Sequence, residues 1–462
     1  MNNYNKFVIT PGFKTSTHDA IFDKLCIELK SNNLILSPLR KYTTIAIIIK
    51  SVYTLILSLP SLIGSFLKKD IRSYEYKGIN LGRSINEESI SRSNIGEFSF
   101  FNNGAYYIIK SHLVLNIVTK ILDYYTIKLI IGGDGGYILF SILAQKAIKN
   151  NIPTYFIVGA TRITLRQFDL NYLSTFPEYE KLFKLYKNNI SEKTLEVAER
   201  NLINRTQGDR SSLSYMPRNQ IVKQFNHVYE KGLCLYLHDF FDSPGLYGGN
   251  LFCNHVEWVE ATIKYLKRRK IPLYIKLHPN EREESAVLRK KLLKKHKNSF
   301  QIIDTDISML DLKKTHIKAI ITIYGTVSIE ASYIGIPIIS AGRSPFTCIQ
   351  NIHKPENIET YFDLLDLAYS GKLNVPSKED VVILEALNYI HCWDLPKIND
   401  ISYDDITEHD WNNVLNSNYP DDVYTRRKYY LKNEKFRNYF KNKYNQIEFI
   451  KNTDFKILNG AR

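Results

Sequence analysis

PLYIKLHPNE (Pro272–Glu281) and AIITIYGTVSIEASYIGIPIISAGRSPF (Ala319–Phe346) are the two stretches whose reading decides the fold. Each begins as an apolar strand and stops abruptly in a polar turn. The first reads as a strand over Leu273–Leu277, followed by His278, Pro279 and Asn280. The second reads as a strand over Ala319–Ile323, followed by Tyr324, Gly325 and Thr326, with a helix starting near Ser328. In open parallel α/β sheets, ligands sit beyond the carboxyl ends of the strands, where helix N-termini offer free N–H groups. Two such ends can face one phosphate group.

Reading outward from this stretch, apolar runs and helical patterns alternate regularly. Strands are expected at Gly232–Leu237, Leu273–Leu277, Phe300–Ile303, Ala319–Ile323 and Pro337–Ser340. Helices are expected at Val256–Lys270, Glu281–Lys297 and Ser328–Tyr333. Continuous apolar strands that alternate with helices are the pattern of a parallel sheet covered on both faces. Beyond Pro345 the pattern is less regular, apart from a helix expected over Glu379–Tyr389.

The N-terminal half repeats this grammar once. Lys128–Ile131 reads as a strand, Gly132-Gly133-Asp134-Gly135-Gly136 as a turn, Leu139–Lys149 as a helix and Pro153–Val158 as the next strand. The turn lacks GxGxxG spacing, and no acidic residue ends the following strand, so a dinucleotide site is not indicated. Asp134, at its tip, reads either as a helix cap or as a base in a cleft. Tyr76–Asn94 is polar and contains Gly78, Arg83 and Arg92; it reads as a loop, at a substrate mouth or as a plain surface connection. Thr206–Asn219 reads as a linker.

A chain of 462 residues exceeds one ordinary core. Three units are expected: 1–215, 216–422 and a basic, aromatic tail 423–462 whose helix is either a solvated surface or a seat for anions. The net charge of +15 suits nucleic acid, anionic lipid or an anionic small substrate. No nucleic-acid module is recognisable, and none is expected as a partner. The five cysteines are widely spaced without a CxxC pair, which fits a reduced, cytoplasmic protein without structural zinc. The apolar run Ser51–Leu67, flanked by Lys50 and Lys68-Lys69, is shorter than the about twenty residues a spanning helix needs, and Pro60 interrupts it. It reads as a buried helix of the first unit, as an interfacial element touching the inner face of the cytoplasmic membrane, or as a span.

The chemistry concentrates at the strand ends. His278 precedes a proline, which keeps it out of helical geometry, and its imidazole can donate to a phosphate oxygen; the alternative is a structural strand-end histidine. Lys276 adds charge if it shares that face. Gly325, Thr326 and Ser328 offer N–H and hydroxyl donors at a helix start. Glu330 can accept from a ribose or base, or simply place favourable charge in a first helical turn. His238 and Asp242 follow the strand Gly232–Leu237 as substrate-binding candidates and, with Asp239, as second choices for a base. Asp304-Thr305-Asp306 matches a cation-binding DxD pattern weakly, and neither a metal nor a cofactor is expected.

Taken together, KLHPNE and GTVSIEASYIGIPIISAGRSPF resemble the C-terminal domain of bacterial capsule and surface-polysaccharide glycosyltransferases, including β-Kdo transferases and HP-containing sialyl- and polysialyltransferases. Teichoic-acid glycerophosphotransferases have a similar layout. The resemblance covers Leu233–Pro345 and is faint in the N-terminal half. Leu277 stands where the group often has proline before the histidine. The resemblance implies a GT-B fold, two Rossmann-like domains facing across a cleft. It implies a nucleotide-sugar donor and an oligosaccharide or lipid-linked glycan acceptor; CMP-, UDP- and CDP-linked donors all fit such a seat, and a CMP-linked sugar is the first choice. In that reading His278, Pro279, Thr326 and Ser328 hold the donor phosphate, Glu330 contacts the nucleoside, and Asp134 is the base.

Overall fold

A computed structural model describes residues 6–10, 32–35 and 42–387, except 94, 133–134, 153, 159–163, 169, 172, 174–178, 189, 191, 210–228, 243–244, 246–247, 249 and 304–306. The apolar runs of the second half form a six-stranded sheet. Its order in space is Gln301–Ile303, Leu273–Lys276, Gly232–Tyr236, Ile317–Thr322, Ile338–Ser340, Ile352–His353, and every pairing is parallel. Numbered along the chain, that order is 3-2-1-4-5-6, a doubly wound sheet. Successive side chains enter opposite cores, as a pleated strand requires. Leu233, Leu235 and Ile275 pack with Trp258, Ile263 and Tyr361 on one face. Cys234, Tyr274 and Ile320 pack on the other with Leu202, Ile329 and Leu384. Both faces are covered, which explains why these strands read as unbroken apolar runs.

The first sheet has the order Asn32–Ile35, Lys6–Thr10, Thr126–Gly132, Thr154–Val158, Thr164–Gln167. Its pairings are parallel except the last, an antiparallel edge. The helices Ala105–Tyr124 and Ile138–Lys149 cover it with Val114, Ile117, Val118, Ile142 and Leu143. The protein is thus an α/β molecule of two Rossmann-like units, the GT-B layout expected from sequence. The helices Tyr179–Tyr186 and Glu192–Thr206, which fall within 1–215, contribute Tyr179, Phe183, Ala198 and Leu202 to the second core.

Two stretches differ from the sequence reading. Tyr76–Asn94, expected as a loop, contains the helix Gly82–Ser91, buried over most of its length although its sequence is polar. Gly82 packs so closely on the preceding turn that a Cβ there would lie 1.8 Å from the Ile71 carbonyl oxygen. The irregular segment after Pro345 contains the helix Ile358–Tyr369, capped at Asn357 by a reciprocal bond with Thr360. The run Ser51–Leu67 lies within one helix, Ile45–Leu67, that contains Pro60. The expected helix at 423–450, the remainder of the linker beyond 209, Asp134 and the DxD triplet 304–306 lie outside the described residues.

Candidate functional site

In the 3-2-1-4-5-6 order the chain leaves the sheet in opposite directions from Gly232–Tyr236 and Ile317–Thr322. The crevice beyond their carboxyl ends is the topological switch point, where such sheets bind ligands. Four rings from separate segments converge there. His238 follows the first strand of the sheet, His278 the second, Tyr324 the fourth, and His255 opens the helix His255–Arg269. The His238 ring lies 4.5 Å from Tyr324 and 5.3 Å from both His255 and His278, centroid to centroid.

The hydrogen bonds define proton positions. His255 Nδ1 lies 3.0 Å from the Asp239 carbonyl oxygen, so this nitrogen carries the proton and donates. Burial, with the neighbouring His238, pushes the His255 pKa down to about 3, so the ring is neutral. Tyr324 donates its hydroxyl proton to the Asp242 carbonyl at 2.6 Å. His278 Nδ1 accepts from the Asn280 N–H at 3.3 Å, which leaves the proton of a neutral His278 on Nε2 as a donor. His238 and His278 are only partly buried, whereas His255 is fully buried beneath them. The arrangement offers two accessible imidazoles on a rigid backing.

The Asp239 carboxylate is already engaged. It accepts from the N–H of Phe241 at 2.8 Å and of Arg282 at 2.7 Å. Burial works to raise its pKa, but the Arg282 and Phe241 bonds and the Arg282 charge outweigh this and hold it low. Asp239 therefore ties the loop after one strand to the turn after the next. The Asp242 side chain is exposed, with one oxygen 3.8 Å from His238 Nδ1.

At the fourth strand, Gly325 and Thr326 are partly exposed. The Gly325 N–H donates to Thr322 Oγ1 at 3.2 Å, and a Cβ at Gly325 would meet that oxygen at 2.9 Å. Thr326 precedes the helix Val327–Tyr333 without capping it, so its hydroxyl is not spent there. Ser328 is fully buried; its N–H donates to the Gly325 carbonyl at 3.0 Å, while its hydroxyl has no hydrogen-bond partner among the described residues. Lys276 is buried and donates from Nζ to the Ile307 carbonyl at 2.6 Å. Pro279 is partly buried between His278 and the exposed Asn280. Glu330 pairs with Arg205, Oε1 to Nε at 3.3 Å, and Arg205 in turn holds the buried Glu385 through two bonds of 2.7 and 2.6 Å.

The loop after His238 continues to a polar cavity of about 320 Å³ between the two units. Gly245, Asn250 and Cys253 line it from one side, and Arg72, Arg83 and Glu87 from the other. Arg72 is bidentate to Asp70 at 2.8 Å and donates to the carbonyls of Asn250 and Phe252 at 2.9 Å. Glu87 accepts from the Gly245 N–H at 2.6 Å, and Asn86 donates to the Cys253 carbonyl at 3.0 Å. These contacts account for part of the buried polar helix: Asn86 and Glu87 find partners on the opposite unit, and Glu88 finds Lys110 and the Ile138 N–H on its own. Desolvation, then the nearby Arg72, lowers the pKa of Arg83.

Sequence reasoning missed His255, Tyr324, Arg72 and Glu87. A tyrosine directly after a strand end was a usable signal for Tyr324; the others have no local signature. Among the described residues no cluster of three or more His, Cys, Asp or Glu could hold a metal ion.

No family model matches the chain, and no curated protein matches it in sequence. Among solved structures, the chain is similar to KpsC, a beta Kdo 2,4 transferase of Thermosulfurimonas dismutans, at 16% identity and a TM-score of 0.38, covering 56% of this chain and 79% of that one. It is also similar to the UDP-GlcNAc 2-epimerase of Methanocaldococcus jannaschii, at 16% identity and a TM-score of 0.28, covering 61% and 81%. A third is the Neisseria meningitidis UDP-GlcNAc 2-epimerase, at 13% identity and a TM-score of 0.27, covering 84% and 98%. At these scores the superpositions carry no information on activity.

Proposed function

We propose that the protein is a glycosyltransferase of bacterial surface-polysaccharide assembly. It takes a sugar from a nucleotide-activated donor, CMP-linked by preference, and passes it to a growing glycan. The observation that carries this reading is the convergence of His238, His278 and the Gly325-Thr326 turn at the switch point of the second sheet. An anionic leaving group is the ligand such donors suit.

In the proposed step the acceptor hydroxyl oxygen bonds to the anomeric carbon as the bond from that carbon to the phosphate oxygen breaks. The electron pair leaves with the phosphate of the nucleotide. His278, through Nε2–H, and the Thr326 hydroxyl meet the charge that develops there. Asp134 takes the acceptor proton. Glu330, held by Arg205, accepts from the nucleoside, and the Arg72–Arg83 cavity receives the glycan side of the reaction.

Thermal-shift titration with CMP, CDP, UDP and GDP tests this. The expected result is a shift with CMP that His278→Ala abolishes, while Asp134→Asn keeps the shift and loses turnover. No shift with any nucleotide would overturn the reading. A preference for UDP would remove the CMP-linked donor but keep the reaction class.

A further inference from the structure

The helix Ile45–Leu67 is built inside out. Its buried stripe is Ile47, Ser51, Thr54, Ser58, Leu62 and Ser65, four of them hydroxyl residues. The opposite side carries Ile45, Ile49, Val52, Ile56, Ile63 and Leu67, all between 53% and 80% exposed. A helix on a soluble surface normally turns its apolar stripe inward. Here the polar stripe faces the protein and the apolar one faces out.

The inward hydroxyls make a closed network with the helix Ala105–Tyr124. Thr54 Oγ1 lies 3.0 Å from His112 Nδ1, and Ser58 Oγ lies 3.2 Å from His112 Nε2 and 2.6 Å from the Tyr74 hydroxyl. Asn116 donates to Thr54 Oγ1 at 3.0 Å and to Ser51 Oγ at 3.3 Å. The apolar face extends beyond the helix. Phe66 meets the Phe100 ring edge-on at 5.7 Å, and Phe100 meets Phe101, which is 96% exposed. Tyr106 and Ile109 continue the surface at the start of the neighbouring helix, both more than half exposed. Continuous apolar surface on this scale marks an interaction site.

We infer that this face seats the protein on an anionic lipid bilayer, with the helix Ile45–Leu67 lying in the plane of the membrane surface. Charge complementarity selects the occupant. Lys68 and Lys69 follow the helix directly, Lys50 lies beside the apolar face, all three are exposed, and the whole chain carries +15. Exposed Lys and aromatic side chains bordering an apolar helix face are the composition of an interfacial helix on anionic lipid. At 23 residues the helix is long enough to cross a bilayer by length and composition. Its inner stripe decides for the in-plane position. Buried contacts run from Ile47 to Ser65, so the helix is fastened to the folded unit along nearly its whole length. Crossing would expose the Ser–Thr–His–Asn network to hydrocarbon, where its polar atoms would lose their partners.

The test is vesicle flotation of the full chain. Binding is expected to vesicles of phosphatidylcholine with phosphatidylglycerol, and about tenfold weaker or less to phosphatidylcholine alone. Ile49→Glu with Ile56→Glu should abolish binding without moving the melting temperature, because both side chains are exposed. Lys68→Glu with Lys69→Glu should remove the preference for anionic lipid. In the single variants Ile45→Trp, Ile56→Trp and Leu67→Trp, brominated lipid should quench the added fluorescence to a similar degree in all three. Absence of vesicle binding, or binding unchanged in the Ile49/Ile56 pair, would overturn the inference. So would quenching confined to position 56, the pattern of a span. A dimer that the pair dissociates, together with no lipid binding, would assign the face to a second copy and equally overturn it.

Discussion

Arg205 is a buried charge that joins three helices of the second unit. It arises from the helix Glu192–Thr206 and reaches the helices Val327–Tyr333 and Lys378–Glu385, pairing with Glu330 on one and Glu385 on the other. Arg205 is 1% exposed and Glu385 0%, so neither charge has water to fall back on. Arg205→Met keeps most of the side-chain length and removes the guanidinium. Glu385 then stays buried without its bidentate partner, a loss of about 3–5 kcal/mol. Removing both partners, as Arg205→Met with Glu385→Met, replaces the pair by apolar contacts and should recover most of that loss or exceed the parent. The assay is urea unfolding followed by the fluorescence of Trp258, which is fully buried in the same unit, in a background of Trp393→Phe and Trp411→Phe. At a slope of about 2 kcal/mol per molar urea, the single variant should unfold about 1.5–2.5 M earlier. The reasoning is refuted if the single variant costs less than about 1 kcal/mol, or if the double variant is no more stable than the single.

Two further outcomes follow from buried polar groups. His112 and His255 are held neutral by burial, with pKa values lowered to about 4 and about 3. Both values lie below that of an unfolded histidine, so the unfolded chain binds more protons between about pH 6.5 and those values, and stability falls as pH drops through that window. By pH 5 the loss should reach about 2 kcal/mol per histidine, measured as a lower urea midpoint than at pH 7, and His255→Gln should flatten the dependence. Equal midpoints at the two pH values would contradict the assignment. Tyr361 joins Trp258 Nε1 at 3.0 Å to Thr262 Oγ1 at 2.7 Å in the core. Tyr361→Phe leaves both groups short of a partner and should cost about 1–3 kcal/mol in the same unfolding assay, with nucleotide binding unchanged.

The second sheet was largely legible in the sequence. The strand expected at Leu273–Leu277 is found at Leu273–Lys276, and that expected at Gly232–Leu237 at Gly232–Tyr236. Strands buried on both faces must be apolar throughout, and such runs stand out against charged helices. The helix Ile358–Tyr369 was missed although its signal was present: Asn357 and Thr360 form a capping box. The helix Gly82–Ser91 was not legible, because GRSINEESIS has the composition of a loop. Its burial depends on contacts far along the chain: Glu87 and Asn86 meet backbone groups of Gly245 and Cys253, and Glu88 meets Lys110 and the Ile138 N–H.

The candidate site divides in the same way. His278 and Gly325-Thr326 could be named because strand ends and helix starts are local events, set by where an apolar run stops. That His238 stands beside His278 and over His255 depends on strand order, which no local pattern encodes. The run Ser51–Leu67 shows the division most plainly. By itself the sequence determined that this stretch is apolar, helical in length and bordered by lysines. Only the tertiary structure decided which side of it is outside, because Ser51, Thr54 and Ser58 turn toward His112, Asn116 and Tyr74. Each hydroxyl already donates to a carbonyl of its own helix, Ser51 to Ile47, Thr54 to Ser51 and Ser58 to Leu55, and the inward orientation adds the contacts to His112, Asn116 and Tyr74, which leaves the isoleucines facing outward.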